Sequence, residues 1–157
     1  MKLLFKQRLF SWFDSYDIYD ETGATLYTVE GKLAWGHRLH VLDASGTHIA
    51  TLKEKVLTLL PRFELYVGDR FVGEIVKEFT LFKPRFSLSF MGWNVTGDWL
   101  QWDYQITDSS GQTAARVQKL IWNFTDTYEI EVYAPQNALY ALMVVLAIDA
   151  VKCRENG

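Results

Sequence analysis

Pro135-Gln136-Asn137-Ala138-Leu139-Tyr140-Ala141-Leu142-Met143-Val144-Val145-Leu146-Ala147-Ile148-Asp149-Ala150-Val151-Lys152 is the stretch in which the sequence changes its period. Ala, Leu and Met are good helix formers, and no Gly or Pro interrupts them after Pro135. Asn137 suits a helix N-cap, so a helix over 137–152 is predicted. Leu139, Tyr140, Leu142, Met143, Val144, Val145, Leu146 and Ile148 cover every azimuth of that helix. A helix that is apolar all round must be surrounded on all sides. It spans ~24 Å at 1.5 Å per residue, short of a ~30 Å hydrocarbon core, so burial inside protein is the expected surrounding.

The preceding sequence supplies what surrounds it. Asp20-Glu21-Thr22-Gly23, Asp43-Ala44-Ser45-Gly46 and Asp108-Ser109-Ser110-Gly111 share the form D-x-x-G. Asp at the first position and Gly at the fourth mark type I turns that close hairpins. Gly68-Asp69 has the role of a two-residue hairpin turn. Two connectors, Leu57 to Leu65 and Phe79 to Leu88, are near copies, each with a Pro-Arg-Phe core. About twelve short strands are expected: 9–13, 15–20, 24–30, 36–43, 47–54, 62–67, 70–77, 85–91, 93–98, 100–107, 112–120 and 127–134. Partial alternation, as in Phe86, Leu88 and Phe90 against Ser87 and Ser89, gives each strand one buried face. Strands that curl into a closed antiparallel barrel around the C-terminal helix bury that helix and remove exposed edges. The expected fold class is mainly β, with about twelve antiparallel strands around a central hydrophobic helix.

With 157 residues the chain reads as a single domain over 1–157, strands at about 9–134 and helix at 137–152. Sixteen Lys+Arg against nineteen Asp+Glu leave a charge of −3, without the basic excess of a nucleic-acid binder, so no nucleic-acid partner is expected. The one cysteine, Cys153, has no intrachain partner and suits a reducing compartment. The opening Met1 to Arg8 carries a three-residue apolar run, far below a signal h-region of about 7–15 residues. A cytoplasmic location, peripheral at a membrane, is the expectation.

Several spaced patterns carry a family likeness. They are the D-x-x-G hairpins, Val95-x-Gly97 leading into Trp102-x-Tyr104-x-Ile106-x-Asp108-x-x-Gly111, Tyr128-x-Ile130, and the closing Ala147-Ile148-Asp149-Ala150. Together they resemble the tubby-like, or LURP-one-related, superfamily, which includes the phospholipid scramblases, in its small single-domain bacterial form. The resemblance covers about residues 9–152. It implies a twelve-stranded barrel around a C-terminal hydrophobic helix, the arrangement the periodicity reaches separately. It also implies docking roles, since tubby proteins bind membrane phosphoinositides, but it assigns no binding residue here. The Pro-rich arm, Cys-rich run and acidic calcium loop of scramblases have no match in this sequence.

No G-x-S-x-G, H-E-x-x-H, G-x-x-x-x-G-K-[ST] or G-x-G-x-x-G occurs, which counts against the common hydrolase, zinc-protease and nucleotide-binding readings. No cofactor is implied, and the chain reads as a non-enzymatic docking module. Near the copied connectors lie Lys53, Lys55, Arg62, Lys77, Lys83 and Arg85. Arg62, Lys83 and Arg85 are the candidate contacts for anionic lipid headgroups, beside an exposed Leu60 or Phe82; Glu54, Glu74 and Glu78 oppose them. A protein-interaction scaffold with no small ligand is the alternative. His37, His40 and His48 cluster around one hairpin, where a surface metal is conceivable beside Asp43. Trp93, Trp99 and Trp102 fall within ten residues, and such rings pack cores more often than they stack ligands. Asp149 lies in the last turn of the helix, where a carboxylate needs a partner, and Lys152 at i+3 is the candidate. Asp149 is read as a structural lock between helix and barrel mouth.

Overall fold

Alternating apolar and polar residues fold into antiparallel ladders wherever a tight turn sets the register. The computed structural model describes residues 1–6, 15–32, 34–78, 80–81, 85–89, 91–122 and 125–155. Among these, twelve strands occur: β1 (Lys2–Lys6), β2 (Ser15–Tyr19), β3 (Thr25–Lys32), β4 (Arg38–Asp43), β5 (His48–Glu54), β6 (Arg62–Val67), β7 (Arg70–Glu78), β8 (Arg85–Leu88), β9 (Asn94–Asp98), β10 (Asp103–Thr107), β11 (Thr113–Trp122) and β12 (Thr125–Val132). A 3-10 turn at Pro135–Asn137 leads into α1 (Ala138–Glu155). The expected strand at 9–13 lies outside the described residues. The sequence pattern does not mark Lys2–Lys6 as a strand, yet β1 there pairs along its whole length with β12.

The D-x-x-G turns share one local mechanism. In each, the glycine N–H donates to the aspartate carbonyl at 3.0–3.1 Å, and φ of 83–85° suits glycine alone among common residues. The Asp43 carboxylate also accepts from Ser45 N, Ser45 Oγ and Thr47 N at 2.6–3.0 Å. Asp20 and Asp108 repeat the pattern. These bonds to the ionised form hold all three carboxyls below the usual range. A bulge beside each turn adds twist, which helps curl the sheet.

The sheet runs β8-β7-β6-β5-β4-β3-β2-β1-β12-β11-β10-β9, all antiparallel. Among the described residues β8 and β9 lie side by side without a ladder, so the barrel is nearly closed, with its seam there. There the Trp99 ring packs edge-on against Phe86 at 4.9 Å. Gly97 is the tight spot of β9, because a Cβ would meet Asp103 O and Tyr104 Cα at 2.8 Å.

The helix fills the barrel. Ala141 through Ile148, then Ala150 and Val151, are at most 2% exposed, against inward residues such as Leu39, Leu65, Ile106 and Ile130. By length and composition alone, the segment Pro135–Cys153 would also suit a membrane crossing. Here it is the core. Asn137 is not the N-cap expected. It belongs to the 3-10 turn, whose cap is Ala134 with no side-chain bond, and Pro135 at the start takes over the role of fixing the entry.

The up-and-down order sorts the loops into two sets. Asp20–Gly23, Asp43–Gly46, Gly68-Asp69 and Asp108–Gly111 lie at one end of the barrel, the turn end. The loops β3–β4, β5–β6, β7–β8 and β9–β10, with the tip of β11, lie at the other, the connector end. α1 enters from the turn end and finishes at the connector end.

Candidate functional site at the connector end

Exposed apolar side chains mark the connector end. Trp35, Leu57, Leu59, Leu81 and Ile121 are 84%, 97%, 99%, 90% and 88% exposed, and all five lie there. Val56 and Leu100 add to the set. The exposed large apolar residues of the turn end, Met1, Phe71, Met91 and Tyr133, reach only 42–55%. Short loops cannot bury these residues against the barrel wall, and an end so marked reads as an interaction surface. The tips differ from those expected: Leu60 is half-buried, and Phe82 lies outside the described residues.

Two of the loops are clasped together. Glu54, at the end of β5, is 7% exposed. Its Oε2 accepts the His37 backbone N–H at 3.1 Å and lies 2.7 Å from His37 Nδ1. In return Glu54 N–H donates to His37 O at 2.8 Å. Gly36 closes against Glu54 O and Val56 Cγ1, so Trp35 and Val56-Leu57 are held side by side.

The basic residues are less free than their sequence position suggests. Arg62 begins β6 and reaches Glu74 at 3.7 Å. Lys55 bridges Glu64 at 2.9 Å and Glu74 at 3.8 Å. Arg85 begins β8, is exposed, and stands opposite Glu78 in register. Lys83 lies outside the described residues. The expected opposition by acids is therefore real for Arg62, with Glu74 as its agent, while Glu54 is engaged by His37 instead.

The histidines separate into two arrangements. His37 joins the clasp, and the His40 and His48 rings stack at 4.0 Å with 8° between planes. Nitrogen lone pairs lie in the ring plane, so parallel stacked imidazoles do not converge on one ion. Among the described residues no group of three or more His, Cys, Asp or Glu is placed to hold a metal. Burial, then the neighbouring His48, pushes the His40 pKa down.

Trp99 and Trp102 inside the mouth, and Trp93 on the β8–β9 loop at the turn end, are buried and form no exposed stacking platform. Lys152, 8% exposed, places its ammonium 4.1 Å over Trp102 and 5.9 Å over Trp99. It has no hydrogen-bond partner, so it does not close on Asp149 as a bonded pair. Desolvation drives the two groups toward neutrality: Asp149 is pushed up to about 6 against the pull of Lys152, and Lys152 down to about 8 against the pull of Asp149. Tyr104 OH is also buried without a partner. The sequence pointed to Asp149 through its place in the last turn. The sequence offered Glu54 only as a charge opposing the basic residues and Tyr104 only within the family pattern, because the His37 contact of the one and the burial of the other are set by the pairing of distant strands.

A model of the LURP-one-related family matches residues 1–149. The chain belongs to the LURP-one-related family. The uncharacterized protein YxjI of Bacillus subtilis (strain 168) is 30% identical over 152 residues, covering 96% of this chain and 93% of that protein. The X-ray structure of an Arabidopsis thaliana protein superposes with a TM-score of 0.66 at 20% identity, over 95% of this chain and 90% of that one. At that identity the likeness concerns the fold, and it agrees with a LURP-one-related barrel around a single C-terminal helix. The connector-end loops of this LURP-one-related chain are thus presented by a rigid scaffold, the usual arrangement for loops that bind.

Proposed function

We propose that the protein is a non-enzymatic docking module whose connector end seats on an anionic lipid membrane. The observation that carries this is the gathering of five nearly fully exposed apolar side chains at one end of the barrel. Trp35, Leu57, Leu59, Leu81 and Ile121 enter the headgroup–acyl boundary, where fully burying a Leu or Ile side chain is worth about 1.5–3 kcal/mol. Arg62, Lys83 and Arg85 contribute about 1 kcal/mol each near an anionic surface. Glu74 reduces the share of Arg62, so apolar insertion carries more of the affinity than charge does.

Co-sedimentation with neutral and anionic vesicles at low and physiological salt tests this. The wild-type chain is expected to bind anionic vesicles, with moderate weakening by salt. Leu57→Ser/Leu59→Ser is expected to lose at least tenfold in affinity, and Arg62→Glu/Lys83→Glu/Arg85→Glu to lose binding at physiological salt. Absence of binding at both salts overturns the proposal and directs the search to protein partners.

A further inference from the structure

The mouth of the barrel at the C-terminal end of α1 holds polar groups that the docking reading leaves unused. Lys152 carries three ammonium donors and no acceptor, and Tyr104, 1% exposed, has a hydroxyl with no partner. Burying an ammonium or a phenol without hydrogen bonds is costly, and native structures tolerate few such groups. The Trp102 backbone adds a third cost, since its φ of 58° is left-handed and unusual for a bulky residue. Costs of this kind persist where surrounding structure enforces them, and they concentrate at ligand clamps. Trp102 is enforced by Lys119 N–H donating to its carbonyl at 3.1 Å and by its packing on Tyr128.

Asp149 sits one turn before Lys152 on the same helix face, and part of its surface remains accessible to solvent. The cluster therefore offers donors at Lys152 and Tyr104, a negative acceptor at Asp149, and indole faces at Trp99 and Trp102. A simple anion meets repulsion from Asp149, and a simple cation meets repulsion from Lys152. A zwitterion with a phosphate at one end and an ammonium at the other satisfies both. We propose that this cluster binds a phosphoethanolamine group, with phosphate on Lys152 and Tyr104 and ammonium on Asp149 against the indoles.

The proposal rests on the docking reading for its source, the headgroup of an aminophospholipid, because the cluster faces the same end as the apolar tips. Trp99 is the cover. Its ring packs edge-on against Phe86 across the β8–β9 seam, where no ladder joins the two strands among the described residues.

The test uses the full chain with fluorinated tryptophan, read by 19F NMR, and soluble O-phosphoethanolamine as the probe. Saturable shifts of the Trp99 and Trp102 signals are expected. Ethanolamine and glycerol phosphate are each expected to bind at least tenfold more weakly, and so are Lys152→Met and Asp149→Asn to the full probe. The wild-type titration needs no variant, so a misfolded variant does not blunt the test. Unmoved Trp99 and Trp102 signals at millimolar probe, or equal binding of all three probes, overturn the proposal. In a second arm, anionic vesicles carry either phosphatidylethanolamine or phosphatidylcholine at equal charge. At least threefold tighter binding to the former supports a lipid source. Vesicle binding that ignores the amine, together with silent soluble titrations, removes the site and leaves docking standing. Soluble binding without vesicle binding keeps the site and removes docking.

Discussion

At the scale of the residue, Glu54 illustrates how one buried carboxylate organises an exposed surface. Its carboxylate accepts the His37 N–H and lies 2.7 Å from the His37 ring nitrogen, which ties together the loops that carry the Trp35 and Leu57 tips. Hydrogen bonds to a charged group contribute about 1.5–3 kcal/mol, and replacing Glu54 by Gln keeps the shape while weakening that term. Glu54→Gln is therefore expected to lower stability by about 1–2 kcal/mol. Hydrogen exchange at the His37 amide should quicken, while exchange at the Thr47 turn amide, held by Asp43, should stay unchanged. Unaltered protection at His37 would show that Gly36 packing alone holds the loop. Glu54 was not legible in the sequence as a site residue. It stands seventeen positions from His37, and only the pairing of β4 with β5 brings the two together. Asp20, Asp43 and Asp108 were legible, because their partners lie within four residues.

At the scale of the element, α1 declared itself by an apolar surface with no polar face, and the barrel supplies the surrounding that such a helix requires. Its last turn is the exception, because it buries opposite charges beyond bonding distance. The consequences for pH follow from the two displaced pKa values. Between 3.8 and about 6, the folded chain holds more protons at Asp149 than the unfolded chain does, so stability falls as pH rises through that window. Between about 8 and 10.5, the folded chain holds fewer protons at Lys152, so stability rises with pH there. The pair therefore destabilises most between pH 6 and 8, by up to about 3 kcal/mol for each group. Asp149→Asn/Lys152→Met is expected to raise the melting temperature at pH 7, with the gain shrinking toward pH 4. Asp149→Ala alone leaves the ammonium without its counter-charge and is expected to be destabilising, as removal of one partner of a buried pair usually is. Thermal denaturation across pH 4–10 reads both outcomes. A double variant no more stable than wild type at pH 7 would mean that ligand or water already satisfies the pair.

At the scale of the molecule, the hairpin period and the helix were enough to reach the barrel, because each turn carries its own Asp and Gly. β1 escaped because Leu3 and Phe5 alternate over only five residues, and its partner β12 is more than a hundred positions away. The two ends of the barrel were partly legible: the copied connectors pointed to one end, but which side chains stay exposed depends on how each loop folds over the wall. The resulting asymmetry predicts a single orientation on a membrane. α1 spans ~27 Å at 1.5 Å per residue, so a barrel seated on its connector end keeps the D-x-x-G turns on the order of 25 Å into water. Nitroxide labels at Leu59→Cys and Ser45→Cys, each in a Cys153→Ser background, measure this directly. With anionic vesicles, the label at 59 should gain oxygen accessibility and lose accessibility to a water-soluble nickel complex, while the label at 45 should change in neither. The opposite pattern would place the turn end on the lipid. Matched changes at both sites would mean that the barrel lies on its side, with its wall rather than its loops as the contact. Because Trp35, Leu57 and Leu59 project from loops clasped through Glu54, a Glu54→Gln chain should still seat by the same end but with a broader spread of label depths. Orientation is then a property of the fold, and tightness of seating a property of the clasp.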